Sequence, residues 1–88
     1  MKKNNAGIKM KIDNIKKYLA DLKDDSSTPK NVRNKSEEVL KILDSDGDVS
    51  INVSKALNIL EELSDETNIE SYTRTQLWNV VSMLEKVA

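Results

Sequence analysis

The stretch IKMKIDNIKKYLADL, residues Ile8–Leu22, carries the pattern that decides the fold. Its apolar residues recur at spacings of 4, 3, 4 and 3, and they are Ile8, Ile12, Ile15, Leu19 and Leu22. Because an α-helix completes a turn in about 3.6 residues, this spacing places all of them on one side of a helix. The stretch therefore predicts an amphipathic helix that packs against other helices.

Three further segments have the same periodicity, and no strand pattern is present. Thr28 is expected to cap the second helix, with Pro29 as its first residue. An Asp-rich turn ends that helix, and Asp48 or Ser50 is expected to cap the third. The predicted helices span about residues 8–24, 29–44, 50–64 and 70–87. Their expected inward residues are Val32, Val39, Leu40, Leu43, Val53, Ala56, Leu57, Leu60, Leu63, Leu77, Trp78, Val80, Val81, Leu84 and Val87.

Short connections between these segments make consecutive helices antiparallel neighbours. We therefore expect residues 1–88 to form a single all-α domain, an antiparallel up-and-down four-helix bundle. A stacked pair of helical hairpins, as in HEAT-type repeats, is the alternative, although one pair is not an array.

Composition narrows the possible functions. The 88 residues include no Cys and no His. Without Cys the sequence cannot form disulfides or use thiolate chemistry. Most zinc sites and most general bases also lack the residues that they usually use. We expect no enzymatic activity, no catalytic residues, no cofactor and no metal. No apolar run approaches the roughly 20 residues of a membrane span, and no signal-peptide pattern is present, so the expected location is the cytoplasm.

The stretch DSDGDVSINVSK, Asp44–Lys55, resembles the first half of a calcium-binding EF-hand loop. Three aspartates occupy the first, third and fifth ligand positions, namely Asp44, Asp46 and Asp48. However, Val49 stands where the loop needs Gly, and Lys55 stands where it needs a bidentate Glu. The stretch is therefore interpreted as a helix–helix turn punctuated by Gly47.

Three stretches resemble a small archaeal family of uncharacterised proteins, UPF0147. They are TPKNVR (Thr28–Arg33), ALNILEELSDETNIE (Ala56–Glu70) and YTRTQLWNVVSMLE (Tyr72–Glu85). The resemblance covers roughly residues 8–87 and implies a compact four-helix bundle, an archaeal cytosolic setting and no assigned activity. Glu70 and Lys55 stand where the family favours Pro and Arg, so the sequence departs from its pattern there. The resemblance transfers no catalytic residue.

Charge is divided along the chain. Residues 1–23 hold seven Lys and two Asp, a net charge of +5, whereas residues 24–88 hold seven Lys or Arg and thirteen Asp or Glu, a net charge of −6. In an up-and-down bundle the Asp-rich turn lies near the start of the first helix. We therefore expect Asp44, Asp46 and Asp48 to come near Lys2, Lys3, Lys9 and Lys11.

The other end of the bundle is expected to gather acidic residues and both arginines. Its acids are Asp21, Asp24, Asp25, Glu61, Glu62, Asp65, Glu66 and Glu70. Arg33 and Arg74 stand near the first turns of helices two and four, where the helix dipole disfavours a cation. We predict that Arg74 reaches a carboxylate within residues 61–70, and that Arg33 reaches that cluster or Glu37. The alternative is an anion site formed by Arg33, Arg74, Thr28, Thr73 and Thr75.

Two functions from different classes follow. The first is a non-catalytic module that acts through protein contacts or self-association, with an unknown partner. The second is an accessory protein that binds nucleic acid through a basic face of the first helix. That face would comprise Lys2, Lys3, Lys9, Lys11, Lys16, Lys17 and Lys23. No membrane partner is expected.

Overall fold

The computed structural model of the protein describes residues 5–66 and 68–87. These residues form four α-helices and no strand: α1 (Asn5–Asp24), α2 (Lys30–Asp44), α3 (Val49–Ser64) and α4 (Ser71–Val87). The all-α prediction is therefore confirmed for this part of the chain. The helix α1 begins three residues before the predicted Ile8, since the apolar pattern marks where a helix becomes inward-facing rather than where its backbone starts.

The apolar core lies between all four helices. Each helix supplies buried residues at intervals of three and four, as the amphipathic patterns predict. The fully buried large side chains include Ile15, Leu19, Leu60, Leu63, Leu77 and Leu84. Ile8 and Ile12, the first two residues of the α1 stripe, are only half-buried. The core is therefore closed around the later turns of α1 and more open at its start.

Contacts between the helices form a ring. The helix α1 packs against α2 and α4, and α3 also packs against α2 and α4. Within the described residues, no Cα atom of α1 lies within 8 Å of α3, and none of α2 lies within 8 Å of α4. Helices on opposite sides of the ring are therefore separated at the backbone by the core.

The start of α2 differs from the prediction by one residue. Lys30 is its first helical residue, and Pro29 occupies the cap position with φ −56° and ψ 148°, without a side-chain cap hydrogen bond. Thr28 is buried, and its backbone N–H donates to the Asp25 carbonyl at 3.0 Å. The Thr28 N-cap prediction is therefore wrong. Because Thr28 is drawn into the turn after α1, its side chain packs inward instead of closing α2.

The connection between α2 and α3 is a tight turn. Asp48 caps α3, since its carboxylate oxygen Oδ1 accepts a hydrogen bond from the Ser50 N–H at 2.8 Å. Gly47 has φ 118°, in the region that side chains with a Cβ rarely adopt. This turn confirms Asp48 as a cap and Gly47 as the punctuating residue.

No helix in the described part of the chain has the length and apolar character needed to cross a membrane.

Candidate functional site

Arg74 connects the first turn of α4 to the last turn of α3. Its Nε donates to the Ser64 carbonyl at 3.0 Å and its Nη2 donates to the Glu66 carbonyl at 2.7 Å. The last carbonyls of a helix have no partner within that helix, so a guanidinium fork can satisfy them. The cation also lies at the negative end of the α3 dipole, which offsets its unfavourable place at the start of α4.

The predicted partner of Arg74 was a carboxylate, and that part of the prediction is wrong. Arg74 reaches the expected stretch of residues 61–70, but it bonds to main-chain carbonyls there. The planar fork reaches the carbonyl of Ser64, the last residue of α3, and that of Glu66, two residues after it. Glu66 instead uses its carboxylate to accept a hydrogen bond from the Asn31 amide at 2.6 Å, which joins the α3–α4 connection to α2.

Arg33 does not form the predicted ion pair with Glu37 or with the acidic cluster. Glu37 pairs with Lys41, four residues later on α2, at 3.9 Å. The Nε of Arg33 is buried and has no hydrogen-bond partner among the described residues. Ser36, one turn along the same helix, is fully buried, and its hydroxyl has no partner either. Two neighbouring turns of α2 therefore bury unpaired polar atoms.

Two of the five residues of the predicted anion site have side-chain hydrogen-bond partners in the protein. Arg74 directs donors to the Ser64 and Glu66 carbonyls, whereas Arg33 has a buried Nε without a partner among the described residues. Thr28 and Thr73 are buried, and the Thr75 hydroxyl donates to the Ser71 carbonyl of its own helix at 3.0 Å. Arg74 and Thr75 therefore serve local structure, and the anion site stays a prediction.

The lysines of α1 lie on more than one side of the helix. Lys2 and Lys3 are outside the described residues. Lys11 borders a cavity beside Met83 and Lys86 of α4, while Lys9 and Lys16 border another beside Leu43 of α2. Lys17 is exposed, and Lys23 is half-buried. Lys11 therefore lies on a different side of α1 from Lys9 and Lys16, and the basic face stays a prediction.

Lys16 forms an ion pair with Asp44 of the Asp-rich turn, whereas the prediction places other lysines beside that turn. Its Nζ lies 2.5 Å from Asp44 Oδ1 and 3.7 Å from Asp13 Oδ1. The hydrogen bond to Asp44 is the largest effect and raises the pKa of Lys16, burial lowers that pKa by less, and the charges of Asp44 and Asp13 add smaller increases. The Asp-rich turn thus contacts a lysine, although the predicted partners were Lys9 and Lys11 and two undescribed lysines.

Within the described residues, no group of three acidic side chains is placed to hold a metal ion. Two of the three aspartates of the turn have other partners, since Asp44 pairs with Lys16 and Asp48 caps α3.

Trp78 is exposed, which corrects the prediction that it is buried. It retains 56% of its accessible surface, and Tyr72 on the same helix retains 70%. Consecutive helical residues are separated by about 100°, so burial of Leu77 turns the next side chain away from the core. The spacing of the other apolar residues of α4 could have revealed this. The only tryptophan of the sequence therefore lies on the surface.

Trp78 belongs to a row of residues along α4. Arg74, Val81 and Glu85 lie four residues before it, three after it and seven after it, so they share its side of the helix. Val81 is half-buried and packs against the core, and Glu85 is exposed. Because Arg74 bonds to the end of α3, this row borders α3. We call it the Trp78 row.

A second exposed apolar region lies at the start of α1. Here an open cavity of about 430 Å³ is bordered by apolar side chains from all four helices. They are Ile8, Ile12, Leu43, Val49 and Val87. Lys9, Asp13 and Lys16 also line it, so charges of both signs surround its apolar floor.

Comparison with known proteins gives one consistent result. The model of the Uncharacterised protein family (UPF0147) matches residues 1–87. A UPF0147 protein of Sulfurisphaera tokodaii is 38% identical over 85 residues, which cover 96% of this chain and 91% of that protein. A UPF0147 protein of Thermococcus kodakarensis is 36% identical over 64 residues, which cover 72% of this chain and 77% of that protein.

Two solved structures share the fold. The crystal structure of a UPF0147 protein from Thermoplasma acidophilum has a TM-score of 0.87 at 23% identity, and the match covers 91% of this chain and 95% of that one. A crystal structure of a protein of unknown function has a TM-score of 0.81 at 28% identity, covering 89% and 90% of the two chains.

Proposed function

Because the chain belongs to the uncharacterised protein family UPF0147, whose function is unknown, we propose a function from its own surface. The protein is a non-catalytic interaction module that contacts other proteins, or a second copy of itself, through the Trp78 row of α4. The non-catalytic part rests on a sequence without His or Cys.

The exposure of Trp78 is the observation that supports this proposal. A tryptophan side chain is large and mostly apolar, and covering it in a protein contact releases more water than covering most other side chains. Tryptophan is also enriched among the residues whose truncation weakens protein interfaces most. Val81 extends the apolar surface along the same side of α4, so a partner can contact more than one isolated ring.

We also infer that the four helices run up and down, with consecutive helices antiparallel. Three pairs of neighbours support this arrangement. The Asn31 amide near the start of α2 bonds to Glu66 just after α3, and Tyr18 in α1 accepts a hydrogen bond from Asn79 in α4 at 3.3 Å. Ile8 and Val87, near opposite ends of the sequence, border the same cavity.

Sedimentation at two protein concentrations tests self-association. The module is expected to show a larger mean mass at the higher concentration, or to remain monomeric and recover a protein partner by affinity capture from native cell extract. In both cases Trp78→Ala should remove the interaction, because it removes most of the exposed apolar surface of the row. Tyr72→Ala is the matched control, since it removes an exposed aromatic ring from another side of α4.

A strict monomer that captures no protein through Trp78 would contradict the proposal. Capture should be repeated with and without nuclease, because a partner lost on nuclease treatment is held through nucleic acid. Cytoplasmic location is also a prediction, and comparing capture from the cytosolic and membrane fractions of the extract tests it.

Nucleic-acid binding through the lysines of α1 remains the second prediction, with weaker support. Lys11 lies toward α4 and Lys16 lies toward α2, so a nucleic acid would meet only part of the positive charge at once. Such binding would depend strongly on salt concentration. Absence of any RNA or DNA mobility shift at low salt would eliminate it.

A further inference from the structure

The part of the protein that carries Trp78 has an excess of acidic residues. Residues 49–87, which comprise α3, α4 and the connection between them, contain three basic residues and six acidic ones, a net charge of −3. The basic residues are Lys55, Arg74 and Lys86, and the acids are Glu61, Glu62, Asp65, Glu66, Glu70 and Glu85. The first 23 residues, with a net charge of +5, have the opposite character.

These acids are not neutralised within the described structure. Its ion pairs involve Asp13, Asp44, Glu37 and Glu38, all of which belong to α1 and α2. Arg74 could have paired with a neighbouring carboxylate, but it gives its donors to two uncharged carbonyls. The negative charge beside the Trp78 row is therefore available to an outside partner.

The acids and the apolar side chains share one surface. Glu85 belongs to the Trp78 row, two turns beyond the tryptophan. Glu61 lies one turn before Ser64, whose carbonyl is bonded to Arg74, so Glu61 stands on α3 close to the row. Leu57, a further turn back, is half-buried and packs against the core, as Val81 does on α4. An apolar strip centred on Trp78 thus runs between carboxylates.

We propose that this α3–α4 surface binds a basic amphipathic helix of a partner protein. The proposal rests on the proposed function and identifies the chemistry of its partner. Trp78, Val81 and Leu57 contact the apolar side of the partner helix, and Glu61 and Glu85 pair with lysines or arginines at its borders.

Charge selects this occupant over the alternatives. A nucleic acid would bring more negative charge to a surface that already has an excess of it. The α1 helix of a second copy is also basic, but its lysines are divided between two sides and Lys16 is already paired with Asp44. A helix with apolar residues along one side and basic residues at both borders matches both features of the surface.

A synthetic peptide tests the proposal directly. The probe is a labelled lysine–leucine amphipathic peptide of about 18 residues, or about five helical turns. Its control has glutamate in place of every lysine. Anisotropy of the label measures affinity, and the emission of Trp78 reports whether the ring becomes covered, because the protein has no other tryptophan. We expect the basic peptide to bind and to shift the emission to shorter wavelength, and the acidic peptide not to bind.

Variants then locate the contact. Trp78→Ala should weaken peptide binding by about tenfold or more, whereas Tyr72→Ala should leave it within about twofold. Glu85→Lys should weaken binding by about three- to tenfold. Asp46→Lys is its matched control, because it changes net charge equally in the exposed turn between α2 and α3.

Equal weakening by Glu85→Lys and Asp46→Lys would overturn the proposal, because it would mean that net charge alone attracts the peptide. Binding of the basic peptide without an emission change would also overturn it. If the peptide fails but extract capture still depends on Trp78, the partner chemistry is wrong and the interaction module stands. If neither depends on Trp78, both proposals are wrong.

Discussion

Arg74 bonds to Ser64 across the α3–α4 connection, with 3.0 Å between Nε and the carbonyl oxygen. The same side chain reaches the Glu66 carbonyl. One guanidinium group therefore fixes the end of one helix to the start of the next and closes the connection between them. Because its acceptors are uncharged, this link does not depend on the ionisation of any neighbouring carboxylate.

Arg74→Lys should destabilise the protein by about 1–2 kcal/mol. A hydrogen bond from a charged donor contributes about 1.5–3 kcal/mol, and lysine can reach only one of the two carbonyls well. Urea unfolding measures the change in the free energy of unfolding, with the dependence of that free energy on urea concentration held equal between variants. Arg33→Lys is the matched control and should cost less than about 0.5 kcal/mol, because Arg33 Nε has no partner to lose. Equal losses in the two variants would contradict the capping role of Arg74.

Ser36→Ala should stabilise the protein by about 0.5–1.5 kcal/mol. The hydroxyl of Ser36 is fully buried and unpaired, so its removal recovers a desolvation cost, and alanine also favours the helix. Ser64→Ala serves as the control, since that buried hydroxyl donates to the Glu61 carbonyl at 3.0 Å. In thermal unfolding, the midpoint temperature of Ser36→Ala should be higher than that of the wild type, and that of Ser64→Ala should be no higher than that of the wild type. A loss of stability in Ser36→Ala would show that its hydroxyl has a structural partner.

Asp48→Ala should cost about 1 kcal/mol, because it removes the side-chain cap of α3. Asp46→Ala changes the same turn at an exposed carboxylate and should be close to neutral. Urea unfolding of both variants separates the loss of the cap from a general effect of charge in the turn. Similar changes in the two would remove the special role assigned to Asp48.

Calcium should not bind the Asp44–Lys55 turn. Of its three potential carboxylate ligands, one pairs with Lys16 and another caps α3, and Lys55 occupies the place of the bidentate glutamate. Calorimetry with millimolar calcium is expected to give no heat of binding. A micromolar affinity that disappears in Asp46→Ala would prove this interpretation wrong.

The Lys16–Asp44 pair should stabilise the protein only below alkaline pH. The hydrogen bond that Lys16 donates to Asp44 raises the pKa of Lys16 above the ordinary value of 10.5. A raised pKa in the folded state means that the stabilisation is complete below the unfolded pKa and is lost as pH rises through the folded one. We therefore expect Lys16→Met to lower stability by less than about 1 kcal/mol near pH 7. This difference should vanish well above pH 10.5, and urea unfolding across this range tests it. A difference that grows with pH would contradict the sign.

The helices could be predicted from the sequence because each segment repeats the same signal several times. In α1 the residues Ile15, Leu19 and Leu22 are buried as their spacing requires. The cap at Asp48 could also be predicted, since a short acceptor side chain directly precedes the apolar pattern of α3. Such features depend on local backbone chemistry, which adjacent residues determine.

The site was harder to predict because its geometry depends on residues distant in the sequence. Charge suggests a carboxylate partner for Arg74, but its acceptors are the main-chain carbonyls of Ser64 and Glu66 at and just after the end of α3. Lys16 rather than Lys9 or Lys11 reached Asp44, because the angle around α1 decides which lysine faces α2. Helical spacing predicts Trp78 at the core or its edge, although its angle relative to Leu77 points it outward.

The helices α1 and α4 pack together although they do not follow each other in the sequence. Ile8 near the start of α1 and Val87 at the end of α4 line the same cavity. A linker could therefore join these two helix ends, while the tight turn at Gly47 could be opened without removing any helix. The resulting circular permutant would keep every pair of touching helices and change only the order in which the chain visits them.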